Sequence, residues 1–160
     1  MARMQKIVPN LWFDTEAEEA ASFYTSIFKN SRVTNVMRYG DAGPRPAGMV
    51  MTVSFQLEGQ GFTGLNGGPE FKFNEAVSLL VNCESQEEVD ELWERLSAGG
   101  EKGPCGWLKD KFGLSWQIIP TVLDEMLQDD DAERASRVME AMLKMTKIDI
   151  AELEKAYGGV

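Results

Sequence analysis

Ala76–Gly100, AVSLLVNCESQEEVDELWERLSAGG, packs a strand, a helix start and a helix stop into one short stretch. Ala76 to Asn82 is rich in strand-favouring aliphatics and too short for a helix. Ser85-x-x-Glu88 is a capping box, in which side-chain oxygens take up free N–H groups of the first turn. Val89, Leu92, Trp93 and Leu96 then fall at helical spacing, and Gly99-Gly100 supplies the left-handed stop. The same order occurs nearer the start. The apolar run Ile7 to Phe13 precedes Thr15-x-x-Glu18, and Ala17, Ala20, Ala21, Tyr24, Ile27 and Phe28 form the stripe. The two boxes lie 70 residues apart and the two stripes 72, so a strand-helix unit occurs twice.

Each unit is followed by strands without a further helix. Met49, Met51, Val53, Phe55 and Leu57 alternate with Val50, Thr52, Ser54, Gln56 and Glu58, giving one apolar and one largely polar face. A Glu58-Gly59-Gln60-Gly61 turn leads into a short strand, Phe62 to Asn66, that stops at Gly67-Gly68-Pro69. In the second half Leu114, Trp116 and Ile118 alternate with Ser115, Gln117 and Ile119 before Pro120. The expected fold class is α+β: two βαβββ units in tandem, forming a curved mixed sheet around a cleft, with a C-terminal helical extension. The expected organisation is a domain over residues 1–120 and a helical tail over 121–160, packed on that domain or on a dimer partner. The tail carries ten acids and five bases. Ala135, Val138, Met139 and Met142 share one helical stripe, and Ile150, Leu153 and Tyr157 share another after an Asp149-x-x-Glu152 start.

Composition removes several functions. Sixteen Lys and Arg stand against twenty-six Asp and Glu in 160 residues, a net charge of −10, which opposes a nucleic-acid backbone as partner. Histidine is absent, so His-dependent metal sites and Ser-His or Cys-His nucleophiles are excluded. Cys83 and Cys105 lack metal-binding spacing and are expected to be buried, reduced thiols of a cytoplasmic protein. The basic start, Met1 to Lys6, is followed by an apolar run broken at Pro9-Asn10, which is neither a signal peptide nor a membrane span.

Three segments carry a family resemblance: Pro9 to Asp14 continuing through Ala17-Glu18-Glu19-Ala20 to Phe23-Tyr24; Leu65-Asn66-Gly67-Gly68-Pro69; and Cys105 to Gln117. Together they resemble the PhnB-like, 3-demethylubiquinone methyltransferase-like branch of the vicinal oxygen chelate superfamily, which includes glyoxalase I, extradiol dioxygenases, and fosfomycin- and bleomycin-resistance proteins. The resemblance covers nearly all of residues 6–120. It implies a metal-ligand His on the first strand, near Ile7 to Pro9, and a second ligand near Ala76 to Ser78. A ligand Glu is implied on the last strand after an Asp-Pro-x-Gly turn. Asp110-Lys111-Phe112-Gly113 resembles that turn with Lys111 in place of proline, and Gln117 stands where the Glu is expected. A neutral amide with apolar or hydroxylic companions is a poor transition-metal set, so no metal site and no cofactor are expected. Nor does any glycine-rich turn lead from a strand into a helix, as adenosine-type cofactors commonly require.

What remains is a cleft of neutral polar and aromatic groups: Thr52, Ser54 and Gln56, Asn66, Ser78 and Asn82, with Trp107, Ser115 and Gln117. Such groups orient a small organic molecule while aromatic faces bury its apolar part. The first expectation is therefore a metal-free small-molecule-binding protein of the glyoxalase/bleomycin-resistance type, with a cationic or neutral ligand. The alternative is an enzyme of that superfamily, a lyase, an isomerase or, by the family label, a methyltransferase. It would use a carboxylate base, Glu70, or an oxygen-ligated metal. A weaker third is an interaction module built on the methionine-rich tail. A homodimer is expected by the resemblance, with neither nucleic acid nor membrane as partner.

Overall fold

The computed structural model describes residues 5–159, so Met1 to Met4 of the basic start lie outside the described residues. The fold is α+β, with the βαβββ order occurring twice and a helical extension after it. Each unit carries its own four-stranded mixed sheet. The compact units divide between Lys72 and Phe73, and residues 121–159 belong with the second.

In the first unit β1 (Asn10–Phe13), α1 (Ala17–Ile27), β2 (Arg32–Arg38), β3 (Val50–Leu57) and β4 (Gln60–Asn66) form a sheet in the order β1-β4-β3-β2, with β1 parallel to β4. The β3–β4 hairpin turns on Glu58 and Gly59, whose φ angles of 50° and 81° give the primed turn that matches strand twist. Register then places Phe55 opposite Phe62, their rings stacked with centroids 5.5 Å apart. These rings, with Val53 and Leu57, bury against the Ala20, Ala21, Tyr24 and Ile27 face of α1.

The start of α1 differs from expectation. Glu16 stands at the cap position without a side-chain capping bond, and the Thr15-x-x-Glu18 box is not formed. Asn66, at the end of β4 and paired with Phe13, takes that role: its Oδ1 accepts from the Ala17 N–H at 2.9 Å. Its amide nitrogen donates to the Val50 carbonyl at 3.0 Å. A strand end already fixed beside the helix start thus supplies the acceptor, and no local hydroxyl is needed.

In the second unit β5 (Ser78–Cys83), α2 (Gln86–Ser97), β6 (Glu101–Lys102), β7 (Trp107–Lys109) and β8 (Ser115–Pro120) form a sheet in the order β5-β8-β7-β6, with β5 parallel to β8. Strand β5 begins at Ser78 rather than Ala76, because Ala76 and Val77 lie in an exposed approach to it. Ser85 caps α2 as expected, accepting from the Glu88 N–H at 3.2 Å, while the Glu88 carboxylate reaches the Glu84 N–H. Val89, Leu92, Trp93 and Leu96 are buried, as are Leu108, Trp116 and Ile118 on the strands packed under α2. The turn into β8 is organised by Asp110, only 2% exposed. Its Oδ1 accepts from the Phe112 and Leu114 N–H groups, and its Oδ2 accepts from the Trp116 indole N–H at 2.8 Å.

The tail forms α3 (Thr121–Leu127), α4 (Ala132–Met142) and α5 (Ile150–Gly158) around Leu123, Met126, Val138, Ile148 and Leu153. Asp131 and Asp149 cap α4 and α5. Met139, expected on the buried stripe of α4, is 39% exposed, because Val138 and Met142 occupy the contact. Gln86 at the start of α2 ties the tail down, donating to the Ile148 carbonyl at 3.0 Å and accepting from the Ile150 N–H at 2.8 Å. Lys147 pairs with Asp90 at 2.8 Å. Among the described residues no helix is long and apolar enough to cross a membrane.

Candidate functional site

The polar strand faces are half-buried. On β3, Thr52, Ser54 and Gln56 share a face with Thr63 and Leu65 of β4, and register brings Trp12 of β1 beside Leu65. The Trp12 indole N–H donates to the Gly68 carbonyl at 2.8 Å, and its ring meets Phe71 edge-on with centroids 4.9 Å apart. A Cβ at Gly67 would lie 2.4 Å from the Trp12 ring, so the glycine pair at the end of β4 serves the close seat of this indole. Asn66, expected as a ligand-binding residue, is 2% exposed and has both ends of its amide committed to Ala17 and Val50. Glu70, the expected base, is an exposed residue of the turn after Pro69.

On the second sheet, register places Ser78 beside Ser115, and Gln117 between Leu80 and Trp107. The Gln117 amide nitrogen donates to the Ser78 hydroxyl at 2.9 Å, which joins two of the expected residues across β5 and β8. Asn82 lies on the same face of β5 but is exposed. Ser115 is 1% exposed, and its Oγ has no hydrogen-bond partner among the described residues. It lines a pocket of about 350 Å³ whose other walls come from Pro104, Cys105, Trp107 and Leu108, with Lys109 and Glu75 beside them. Lys109 and Glu75 form an ion pair. Hydrogen bonding and charge attraction from Lys109 hold the Glu75 carboxyl below its usual range, and the same contact raises the Lys109 ammonium.

The two cysteines differ. Cys83 is fully buried, and burial, followed by the charges of Glu88 and Glu84, pushes its thiol up to about 12. Cys105, expected to be buried as well, is half-exposed on the pocket wall. Its φ of 56° is left-handed, a conformation that costs a side-chain-bearing residue free energy. The tail holds it there: the Cys105 N–H donates to the Met145 carbonyl at 2.9 Å, and the Gly106 N–H donates to the Thr146 carbonyl at 2.8 Å. Cys105, Lys109 and Glu75 are site residues that the sequence did not single out. The signal for Cys105 lay in its flanks, since Pro104 and Gly106 make a turn and turns lie at the surface.

A metal does not fit the residues at the implied ligand positions. Ile7 is 82% exposed and aliphatic, and Gln117 offers only a neutral amide oxygen beside the Ser78 hydroxyl that its amide nitrogen bonds. Neither group replaces imidazole or carboxylate. Among the described residues, no three Cys, Asp or Glu side chains converge on one point.

The family model of 3-demethylubiquinone-9 3-methyltransferase matches residues 5–119. The chain belongs to this family. It is the PhnB-like branch of the vicinal oxygen chelate superfamily. The PhnB protein of Bacillus cereus, described as a putative 3-demethylubiquinone-9 3-methyltransferase, is 38% identical over 72% of this chain and 99% of its own, with a TM-score of 0.66. Protein PA1353 of Pseudomonas aeruginosa is 23% identical over 73% of this chain and 98% of its own, with a TM-score of 0.58. The genomically encoded fosfomycin resistance protein FosX of Listeria monocytogenes is 18% identical over 81% of this chain and 100% of its own, also at 0.58. The last two share the fold. No curated protein matches the chain. The family match ends at 119, so α3 to α5 lie beyond it.

Proposed function

We propose that this family member binds a small organic molecule in the pocket on the second sheet, holding it rather than transforming it, and without a transition metal. One observation carries the reading: Ser115 lines a pocket, and its buried hydroxyl has no partner among the described residues. Buried polar groups are nearly always satisfied, and one left open beside a cavity is the pattern of a group awaiting a ligand. The donor set favours binding without a metal, since Gln117 and Ser78 are neutral and bonded to each other. The carboxylate-base alternative is weaker because Glu70 is exposed, where water screens a base and competes for the substrate. The methyl transfer in the family's description draws no support from Gly67-Gly68, which leave β4 into a turn rather than a helix start.

The protein in this reading is a cytoplasmic homodimer, and its mass in solution tests that part directly. For the binding site, chelator-treated full-length protein is labelled with iodoacetamide in the presence of a set of small neutral and charged aromatic molecules. Slower labelling of Cys105 by at least one of them is expected. No protection by any would overturn the reading, and a stoichiometric metal in the purified protein would overturn its metal-free form.

A further inference from the structure

The chemistry of the pocket limits what it holds. Pro104, Trp107 and Leu108 give apolar walls, and the Cys105 thiol bonds hydrogen only weakly. The two charged groups beside the pocket, Lys109 and Glu75, already pair with each other. An anion drawn to the ammonium would therefore meet the Glu75 carboxylate, and a cation drawn to that carboxylate would meet Lys109. Either charge would also lose its water in an apolar cavity, the largest cost a polar ligand faces. One polar group remains unspent, the buried Ser115 Oγ, which can donate one hydrogen bond and accept others. A volume of about 350 Å³ is near the small end for ligand pockets and suits a molecule of one or two rings.

The pocket is also held in shape before any ligand arrives. The left-handed Cys105 backbone is fixed by Met145 and Thr146 of the tail, and the tail by the Gln86 amide and the Lys147–Asp90 pair. The Trp107 N–H closes the turn on the Pro104 carbonyl at 3.0 Å. A preformed wall discriminates by hydrogen bonding, because it cannot relax to satisfy a group the ligand fails to match.

We infer that this pocket takes a neutral, largely apolar molecule of one or two rings bearing a single hydroxyl or carbonyl oxygen, and that the Ser115 hydroxyl selects it. The inference rests on the reading of the pocket as a ligand site.

The test uses full-length protein and three probes of one ring size: para-cresol, toluene and benzoate. Protection of Cys105 from iodoacetamide is the readout, with the labelled peptide identified by mass. In the wild type para-cresol protects at about tenfold lower concentration than toluene, the size of one neutral hydrogen bond, and benzoate protects least. In Ser115→Ala the cresol preference shrinks to within about twofold while toluene is unchanged; this variant removes an unpaired buried hydroxyl, so the fold is not placed at risk. Ser115→Thr keeps a hydroxyl and restores the preference. Equal protection by toluene and para-cresol in the wild type, a preference that survives Ser115→Ala, or tighter benzoate would overturn the inference and leave the ligand site standing. No protection by any probe in the wild type would overturn both.

Discussion

The side-chain oxygen of Asn66 accepts a 2.9 Å hydrogen bond from the backbone N–H of Ala17, 49 positions earlier in the chain. Through it the last strand of the first sheet sets where α1 begins. Asn66→Ala strips the cap from α1 and a donor from the Val50 carbonyl, so one buried and one half-buried backbone group lose these bonds. Chemical denaturation should show a loss of about 2–4 kcal/mol, the cost of two such groups. Asn66→Asp keeps the acceptor at the helix start and should lose less.

Asp110 plays the corresponding part in the second unit. Asp110→Asn retains an oxygen for the Phe112 and Leu114 N–H groups and loses the acceptor for the Trp116 indole, so a drop of about 1–3 kcal/mol is expected. Asp110→Ala removes all three bonds and should cost more, with a shift in tryptophan fluorescence because the Trp116 indole N–H loses its carboxylate acceptor in the turn. Denaturant midpoints of the two variants measure the difference.

Cys83 and Cys105 should separate cleanly by pH. The Cys83 thiol ionises at 9.0 in an open chain and at about 12 when folded, so the folded protein keeps a proton that the unfolded chain gives up between those values. Its contribution is intact below 9.0 and is lost as pH rises toward 12. Stability measured by denaturation should fall across this window, and Cys83→Ala should flatten the slope. At pH 8 iodoacetamide should label Cys105 and leave Cys83 untouched; labelling of both in folded protein would contradict the burial of Cys83.

The clamp on the tail makes a further prediction about the pocket wall. Gln86→Ala removes the bonds to Ile148 and Ile150 and frees the segment that holds Cys105 and Gly106. Labelling of Cys105 should accelerate several-fold at unchanged far-ultraviolet circular dichroism. An unchanged rate would mean that the tail does not govern the wall.

Acid should loosen the tail as well. Hydrogen bonds from Lys147 and Gln86 hold the Asp90 carboxyl below its usual 3.8, and a bond from the Tyr157 hydroxyl does the same for Asp129. Lowered carboxylates stabilise above their unfolded values and lose that contribution as pH falls through the folded ones. Amide protection in α4 and α5, corrected for the intrinsic exchange rate, should therefore fall below about pH 4, earlier than in α2, by the same linkage. Equal acid sensitivity of the three helices would argue against these contacts.

The repeated strand-helix order, the polar and apolar faces of β3 and β8, and the caps at Ser85 and Asp149 were legible in the sequence because each depends on neighbours a few residues apart. Alternation put Ser115 and Gln117 on one face of the last strand, but the bond between Gln117 and Ser78 needed the parallel pairing of β5 with β8. The Thr15 box misled because the competing acceptor, Asn66, comes from a distant strand. Asn66 itself carries the same polarity whether it meets a ligand or a helix start, and only burial tells the two apart.

The sequence by itself determined the α+β class, the family and the lack of an imidazole for any metal, since local periodicity, motif spacing and composition do not depend on what lies across the fold. Tertiary structure alone decided that Ser115 is the buried hydroxyl without a partner and that Asn66 is spoken for. It also decided that Cys105 stands on a pocket wall pinned by Met145 and Thr146. Whether a polar group is satisfied depends on which atoms the folded chain brings within about 3 Å of it, and a sequence pattern carries no such distance.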